Sequence, residues 1–450
     1  MNKHSNIMQR TSNPQLPTIA KGEGVYLIDK HNNRYLDACG GAAVSCLGHS
    51  NQRVKQAIID QINAVPYAHT SFFTNDSQEL LAEHLIAHSE GDFSQVYFVS
   101  GGSEAVETSL KLARQYFLEK GKTDKKYFIA RKQSYHGNTL GALAIGGNLW
   151  RRKPFDPLLA EGHHISACYE YREQRESETN FEYGQRIANE LETMILDLGE
   201  ENVAAFVAET VVGATAGALT PPEGYFKRIR EICDQYDVLL ILDEVMCGMG
   251  RTGTLHACEQ EGVQGDLQTI AKGIAAGYQA LGAVLISKKI VDAIDNGTGF
   301  FQHGHTYIGH PTGCAAGYAT QLEIQEQNLL DNVKRQGFNL KKALKESFDT
   351  DALVSEHIGD IRGRGLFLGV ELVADKASKQ PFDPALKLHK HIKKKAMENL
   401  LMVYPMGGTL DGVNGDHILI APPFIIDEEN VAQIAERLNK AIREAILSVK

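Results

Sequence analysis

The chain has no uninterrupted apolar run of the roughly 18 residues that a membrane helix needs. Its first twenty residues, MNKHSNIMQRTSNPQLPTIA, hold no continuous apolar segment of the kind that directs export. Neither membrane insertion nor secretion is expected, and a cytoplasmic setting is. The seven cysteines (Cys39, Cys46, Cys168, Cys233, Cys247, Cys258 and Cys314) are odd in number and scattered, without a C-x-x-C pair. That spacing offers neither a disulfide framework nor a thiolate zinc site, and it suits a reducing compartment. Positive charge is in deficit, 46 Lys and Arg against 56 Asp and Glu for a net charge of −10. Nucleic-acid binders carry a basic footprint, so none is expected as a partner. Proline is sparse at 13 against 42 glycines, which points to many close backbone approaches.

What is present reads as an ordinary globular chain, 43% hydrophobic and 23% charged. At 450 residues it exceeds the size at which one core keeps growing, so two or three cooperating core units are expected. Gly22 to Asp37, with turn signals at Gly22, Gly24 and Asn32-Asn33, predicts a small antiparallel hairpin. From about Leu80, apolar runs of strand length alternate with helical patterns: Val96 to Val99, Tyr127 to Ala130, Val203 to Ala208, Val238 to Leu242 and Ala283 to Ile286. This is an α/β pattern with a largely parallel, covered sheet. Pro221-Pro222 with Glu223 predicts a helix start before Val238. Beyond about residue 330 come a helix (Asp331 to Glu346), a strand (Phe367 to Val373), a helix (Pro384 to Asn399), short strands and an amphipathic helix from Glu428. These predict a second, α+β unit. The Lys393-Lys394-Lys395 run reads as a solvated helix face.

Four stretches carry chemistry. The strand VLLIL ends at Asp243-Glu244, and in open α/β sheets ligands bind beyond the carboxyl ends of strands. Asp243 is thus placed either to meet a ligand or to cap the next turn. After the tight Gly248-Met249-Gly250-Arg251-Thr252-Gly253 course, the short strand Gln268 to Ala271 is closed by Lys272-Gly273. Such a lysine either snorkels to solvent or, desolvated, offers an amine that condenses with an aldehyde. A carboxylate on a neighbouring strand is what a pyridinium nitrogen requires, and the pair accounts for the spacing better than either bland alternative. Third, Val99-Ser100-Gly101-Gly102-Ser103-Glu104-Ala105 is a strand, a glycine turn and a helix start, which suits a phosphate. It is neither a Walker loop nor a complete G-x-G-x-x-G fingerprint. Fourth, Tyr135 in Ser134-Tyr135-His136-Gly137-Asn138 lies just past a strand, as a ring to stack on a flat heterocycle or as a wedged core tyrosine.

In this order, these pieces resemble the class III branch of the fold-type I pyridoxal-phosphate (PLP) aminotransferases. Leu240 to Val245, Gly250-Arg251-Thr252-Gly253, Ala271-Lys272-Gly273, His305-Thr306-Tyr307 and His310-Pro311 complete the match, which runs nearly end to end. The resemblance implies a mainly parallel central sheet covered by helices in a large PLP-binding domain, residues 71–330. A smaller α+β domain would be assembled from residues 1–70 and 331–450. It implies that Lys272 forms the Schiff base and then moves the proton as general acid and base. Asp243 would keep the pyridine nitrogen protonated, Gly102 and Ser103 would hold the phosphate, and Tyr135 and Val245 would flank the ring. Thr306 would reach the phosphate from a partner subunit, in a homodimer with shared sites or a tetramer built from it. Glu209 matches a family glutamate near the cofactor.

Branches acting on ornithine, acetylornithine or 4-aminobutyrate place an arginine directly after His-Gly; here that place is Asn138. The chain is thereby more similar to ω-amino acid and amine:pyruvate aminotransferases, which pass an amino group from an amine donor to a 2-oxo acid. Gly40-Gly41-Ala42-Ala43-Val44 lacks a bulky aromatic, which implies a roomier pocket. Tyr404-Pro405-Met406-Gly407-Gly408 lacks the arginine that would grip an acceptor carboxylate. An aminomutase, a decarboxylating aminotransferase and a PLP-binding regulator share the same motifs, although no basic DNA-binding module accompanies them here. A metal-dependent hydrolase using His303, His305 and His310 is the alternative from another class.

Overall fold

The computed structural model describes residues 6–11 and 16–449. Residues 1–5 and 12–15, part of the stretch read for an export signal, lie outside the described residues. At the centre is a seven-stranded sheet in the order Phe93–Val99, Gly282–Ser287, Leu267–Ala271, Leu239–Asp243, Val203–Glu209, Tyr127–Arg131, His163–Ile165. Gly282–Ser287 runs antiparallel to both neighbours, and the other strands are parallel to one another. Val203–Glu209 and Leu239–Asp243 are buried at every residue, because helices cover both faces. Val207, Leu239 and Ile241 pack with Val106, Leu110 and Phe117 of the Gly102–Glu119 helix. Phe206, Ala208, Leu240 and Leu242 pack with Ile187, Leu191, Ile229 and Cys233 from helices Asn180–Leu198 and Tyr225–Gln235.

A second sheet, antiparallel throughout, has the order Ile358–Arg364, Phe367–Leu372, Asp416–Ile420, Tyr404–Gly407. Helices Leu329–Asp349, Leu388–Glu398 and Glu428–Val449 pack with it in one core. Buried Arg362 docks this sheet on the central one: Nη2 and Nε donate to the carbonyls of Ala216 (2.7 Å) and Gly217 (2.8 Å). Its Nη1 is held by Glu371 (2.6 Å) and Asp360 (2.9 Å).

Three local expectations are corrected. The Gly22 to Asp37 hairpin is a three-stranded meander, Ile19–Glu23, Tyr26–Asp29 and Arg34–Asp37, to which Leu401–Met402 adds a parallel fourth strand, so both chain ends meet in one sheet. The helix placed at Pro221 starts at Tyr225, because Gly224 at φ 75° lies outside the right-handed region. The helix placed over Pro384 to Asn399 is a 3₁₀ turn, Pro384–Leu386, and a separate helix, Leu388–Glu398, divided at Lys387 with φ 50°.

All seven cysteines are buried and unpaired. Burial pushes the thiols of Cys46, Cys233 and Cys314 up to about 12. Among the described residues no helix is long and apolar enough to cross a membrane.

Candidate active site

The parallel strands of the central sheet all end at the same edge. In register there, Glu209 pairs with Asp243 and Asp243 with Thr269, while Gly282 of the antiparallel strand bridges Ala271 and Val99. The residues that follow these ends, Ser100 to Ser103, Tyr135 to Gly137 and Lys272, therefore converge. With Glu209, Asp243, Val245, Val44, Met246 and Leu281 they line a cavity of about 460 Å³.

Lys272 ends its strand in the left-handed region, φ 49°, where a side chain is strained. That turn sets its partly buried side chain within electrostatic reach of Asp243 and Glu209. Burial lowers its pKa, opposed chiefly by Asp243 and then by Glu209. An amine in that state is neutral more of the time and is available as a nucleophile or base. Asp243 is 3% exposed. Its Oδ1 accepts from the Val245 backbone N–H (3.0 Å) and from Thr269 Oγ1 (3.3 Å), and its Oδ2 accepts from His136 Nδ1 (2.8 Å). Three donors on three elements fix the plane of this carboxylate. His136 Nε2, at the other end of the ring, is buried without a hydrogen-bond partner among the described residues.

Glu209 is also buried; Oε1 accepts from the Tyr135 N–H (2.7 Å) and Oε2 from the Gly213 N–H (2.6 Å). Burial raises its pKa, His136 opposes that and the neighbouring Asp243 reinforces it. Glu244, one residue beyond Asp243, points to the other side, where Thr210 Oγ1 (2.8 Å) and the N–H groups of Ala257 (2.7 Å) and Cys258 (2.7 Å) donate to it. Adjacent residues of a strand face opposite ways, so only one of the two carboxylates reaches the cavity.

Gly102 opens the Gly102–Glu119 helix. A Cβ there would lie 2.6 Å from Val245 Cγ1, so only glycine lets Val245 close over the helix start. Ser103 Oγ donates to Asn138 Oδ1 (2.9 Å) and accepts from the Asn138 N–H (3.1 Å), which joins the glycine turn to the Tyr135 loop. Tyr135 carries the Arg151 guanidinium over its ring, 4.5 Å from the centroid.

Thr306 is not at this cavity. It is exposed, and its carbonyl accepts from Tyr67 Oη (2.9 Å). The histidine run does not converge either. His303 meets Thr108 Oγ1 (2.9 Å) and Lys111 Nζ (3.3 Å), His305 lies 3.5 Å from Glu104, and His310 packs on Tyr67 and Tyr307. Among the described residues no three His, Cys, Asp or Glu side chains come together as metal ligands. His136 and Thr269 are the site members to which sequence assigned no role, since only strand pairing brings them to Asp243.

Fold and site together define a PLP-dependent transferase of fold type I. The chain belongs to the class-III aminotransferase family, whose profile matches residues 7–442. An uncharacterized aminotransferase of Schizosaccharomyces pombe is 43% identical, over 99% of this chain and 97% of its own length. Gamma aminobutyrate transaminase 3, chloroplastic, of Solanum lycopersicum is 35% identical over 95% and 80%. The crystal structure of a PLP-bound amine transaminase from an uncultivated Pseudomonas species superposes with a TM-score of 0.90 at 33% identity, covering 98% of both chains. The side chains present fit the cofactor: a helix start stripped of Cβ atoms for a phosphate, an oriented buried carboxylate for a pyridinium, and a desolvated amine.

Proposed function

We propose that this aminotransferase moves an amino group from an ω-amino acid or simple amine to a 2-oxo acid, with pyruvate the favoured acceptor, and that Lys272 and Asp243 carry the chemistry. The observation that carries this reading is the desolvated Lys272 one strand away from Asp243. When bound, PLP supplies an aldehyde to take the amino group and a ring to receive the electron pair released at the substrate carbon. Lys272 Nζ would hold the cofactor's aldehyde carbon in the resting enzyme; displaced from it by the donor's amine, the freed Nζ would be the group that takes and returns the proton. Asp243, held by His136, Thr269 and Val245, keeps a proton on the pyridine nitrogen. Gly102 and Ser103 donate to the phosphate at the helix start. Tyr135 and Val245 would flank the ring, and Glu209 sets the Tyr135 loop.

The likeness to a 4-aminobutyrate transaminase supports a donor of the ω-amino acid class. Asn138 in place of an arginine favours donors without a carboxylate at that end, in line with the amine transaminase likeness. We also infer that residues 1–70 and 331–450 form a small domain around a large one, 71–330. The exposed Thr306 would complete the phosphate site of a second copy in a homodimer.

The test is the visible spectrum of the PLP-loaded protein with taurine, β-alanine, 4-aminobutyrate, putrescine, 1-phenylethylamine and L-alanine in turn. The cofactor band should bleach with ω-amino acids or amines and return with pyruvate more readily than with 2-oxoglutarate. Bleaching by none of them would reject the donor class. Release of carbon dioxide, or an isomeric amine in place of a keto product, would identify a decarboxylating aminotransferase or an aminomutase.

A further inference from the structure

A 2-oxo acid carries a carboxylate into the site, yet the only cation among the residues lining the cavity is Lys272, beside the two carboxylates Asp243 and Glu209. Asn138 and the stretch Tyr404 to Gly408 supply none. Arg151 stacks on Tyr135, one of the residues that line the cavity. It belongs to the short helix Leu149–Arg152, whose cap Asn148 accepts from the Arg151 N–H (3.3 Å). Asn148 Nδ2 donates to Gln133 Oε1 (2.9 Å), and Gln133 Nε2 donates to the carbonyls of Gly408 (2.9 Å) and Thr409 (3.1 Å). The turn bearing Arg151 is thereby tied to the loop that begins at Gly408.

The guanidinium lies between two rings, 4.5 Å from the centroid of Tyr135 and 5.8 Å from that of Trp150. Nε is buried with no hydrogen-bond partner, and among the described residues no carboxylate or carbonyl engages the rest of the group. In a chain with net charge −10, Arg172, Arg186, Arg228, Arg230, Arg362 and Arg364 hold carboxylates and Arg114, Arg131, Arg152, Arg251 and Arg437 hold backbone carbonyls, so a guanidinium held only by ring faces, one of them lining the cavity, stands apart from these. Ring faces hold it less strongly than a bidentate carboxylate would, so it is free to exchange one for the other.

We propose that Arg151 binds the carboxylate of the 2-oxo acid acceptor. This inference rests on the aminotransferase reading above and names the residue that reading leaves open. An acceptor anion then pairs with Arg151 at the cavity mouth while its carbonyl end faces Lys272. A donor amine without a carboxylate leaves Arg151 against its two rings.

Trp150 is the chain's single tryptophan, so its fluorescence reports on this guanidinium directly. Butyrate, a monocarboxylate that cannot react, should change the fluorescence of the PLP-loaded protein saturably. In Arg151→Leu the apparent Kd for butyrate should rise on the order of 10- to 100-fold, and Arg151→Lys should recover part of the loss. The specificity ratio for pyruvate over acetaldehyde as acceptor should fall by a similar factor in Arg151→Leu, mostly through KM. An unchanged butyrate Kd, or equal losses toward pyruvate and acetaldehyde, would overturn the proposal. A wild type that binds butyrate through Arg151 but returns an amino group to no 2-oxo acid would instead reject the functional reading.

Discussion

Lys272 shows how one residue is prepared by its neighbours. It follows its strand end with φ at 49°, and burial lowers its pKa although Asp243 and Glu209 pull it upward. Truncation to Lys272→Ala should remove the group proposed to move the proton and lower turnover by at least about 10²- to 10⁴-fold, with PLP then bound only reversibly. Asp243→Asn should keep the fold and the cofactor, because an amide retains one acceptor oxygen, and still lose most of the rate. Steady-state turnover with cofactor content measured in parallel checks both, and near-wild-type rates in either variant would contradict the assigned role. These two residues were legible from sequence because each follows an apolar strand-length run, and their chemistry makes sense only as a pair. His136 and Thr269 were not, since a histidine and a threonine have many uses and nothing local marks their contact with Asp243. Arg151 was equally hidden, because its meaning lies in the absence of a partner, and absence is visible only in three dimensions.

At the level of elements, periodicity gave six of the seven central strands, since runs such as Val203–Glu209 have helices on both faces and read as unbroken apolar stretches, but it began Phe93–Val99 three residues late and missed the edge strand His163–Ile165. It was weaker where backbone geometry decides. Prolines at 221 and 222 look like a helix start, but the left-handed Gly224 sets it. Nothing in Leu401-Met402 reveals that it pairs with Leu36-Asp37 at the other end of the chain. The docking of the second sheet also depends on backbone geometry. A Cβ at Gly369 would lie 2.0 Å from the carbonyl oxygen of Gly217, the group that also accepts from Arg362. Gly369→Ala should therefore push the strand off its support and destabilise the protein by about 1–3 kcal/mol, read as a lower midpoint in urea unfolding of the PLP-loaded enzyme. An unchanged midpoint would mean that the sheet can shift at no cost.

For the whole molecule, fold class was the most legible property, because alternating strands and helices leave few ways to cover a parallel sheet. Assembly is different: Thr306 lies exposed and far from its proposed role within one chain. If its role is in a second copy, a hybrid dimer of Lys272→Ala and Thr306→Ala subunits holds one intact site and one with both defects. Co-expressed with two tags and purified through both, such a hybrid should show roughly half the wild-type activity under limiting PLP, well above either parent. Activity no better than the mean of the parents would place Thr306 outside the site. The seven buried thiols have a consequence at this scale too. Six of them lie in three separate cores of the chain and Cys39 lies buried outside these, each without a disulfide and out of water's reach. A folded molecule is in effect blind to alkylating reagents, and opening any of these three cores exposes its own sulfurs. The protein thus carries a built-in chemical clock, whose ticks record which part of it came apart first.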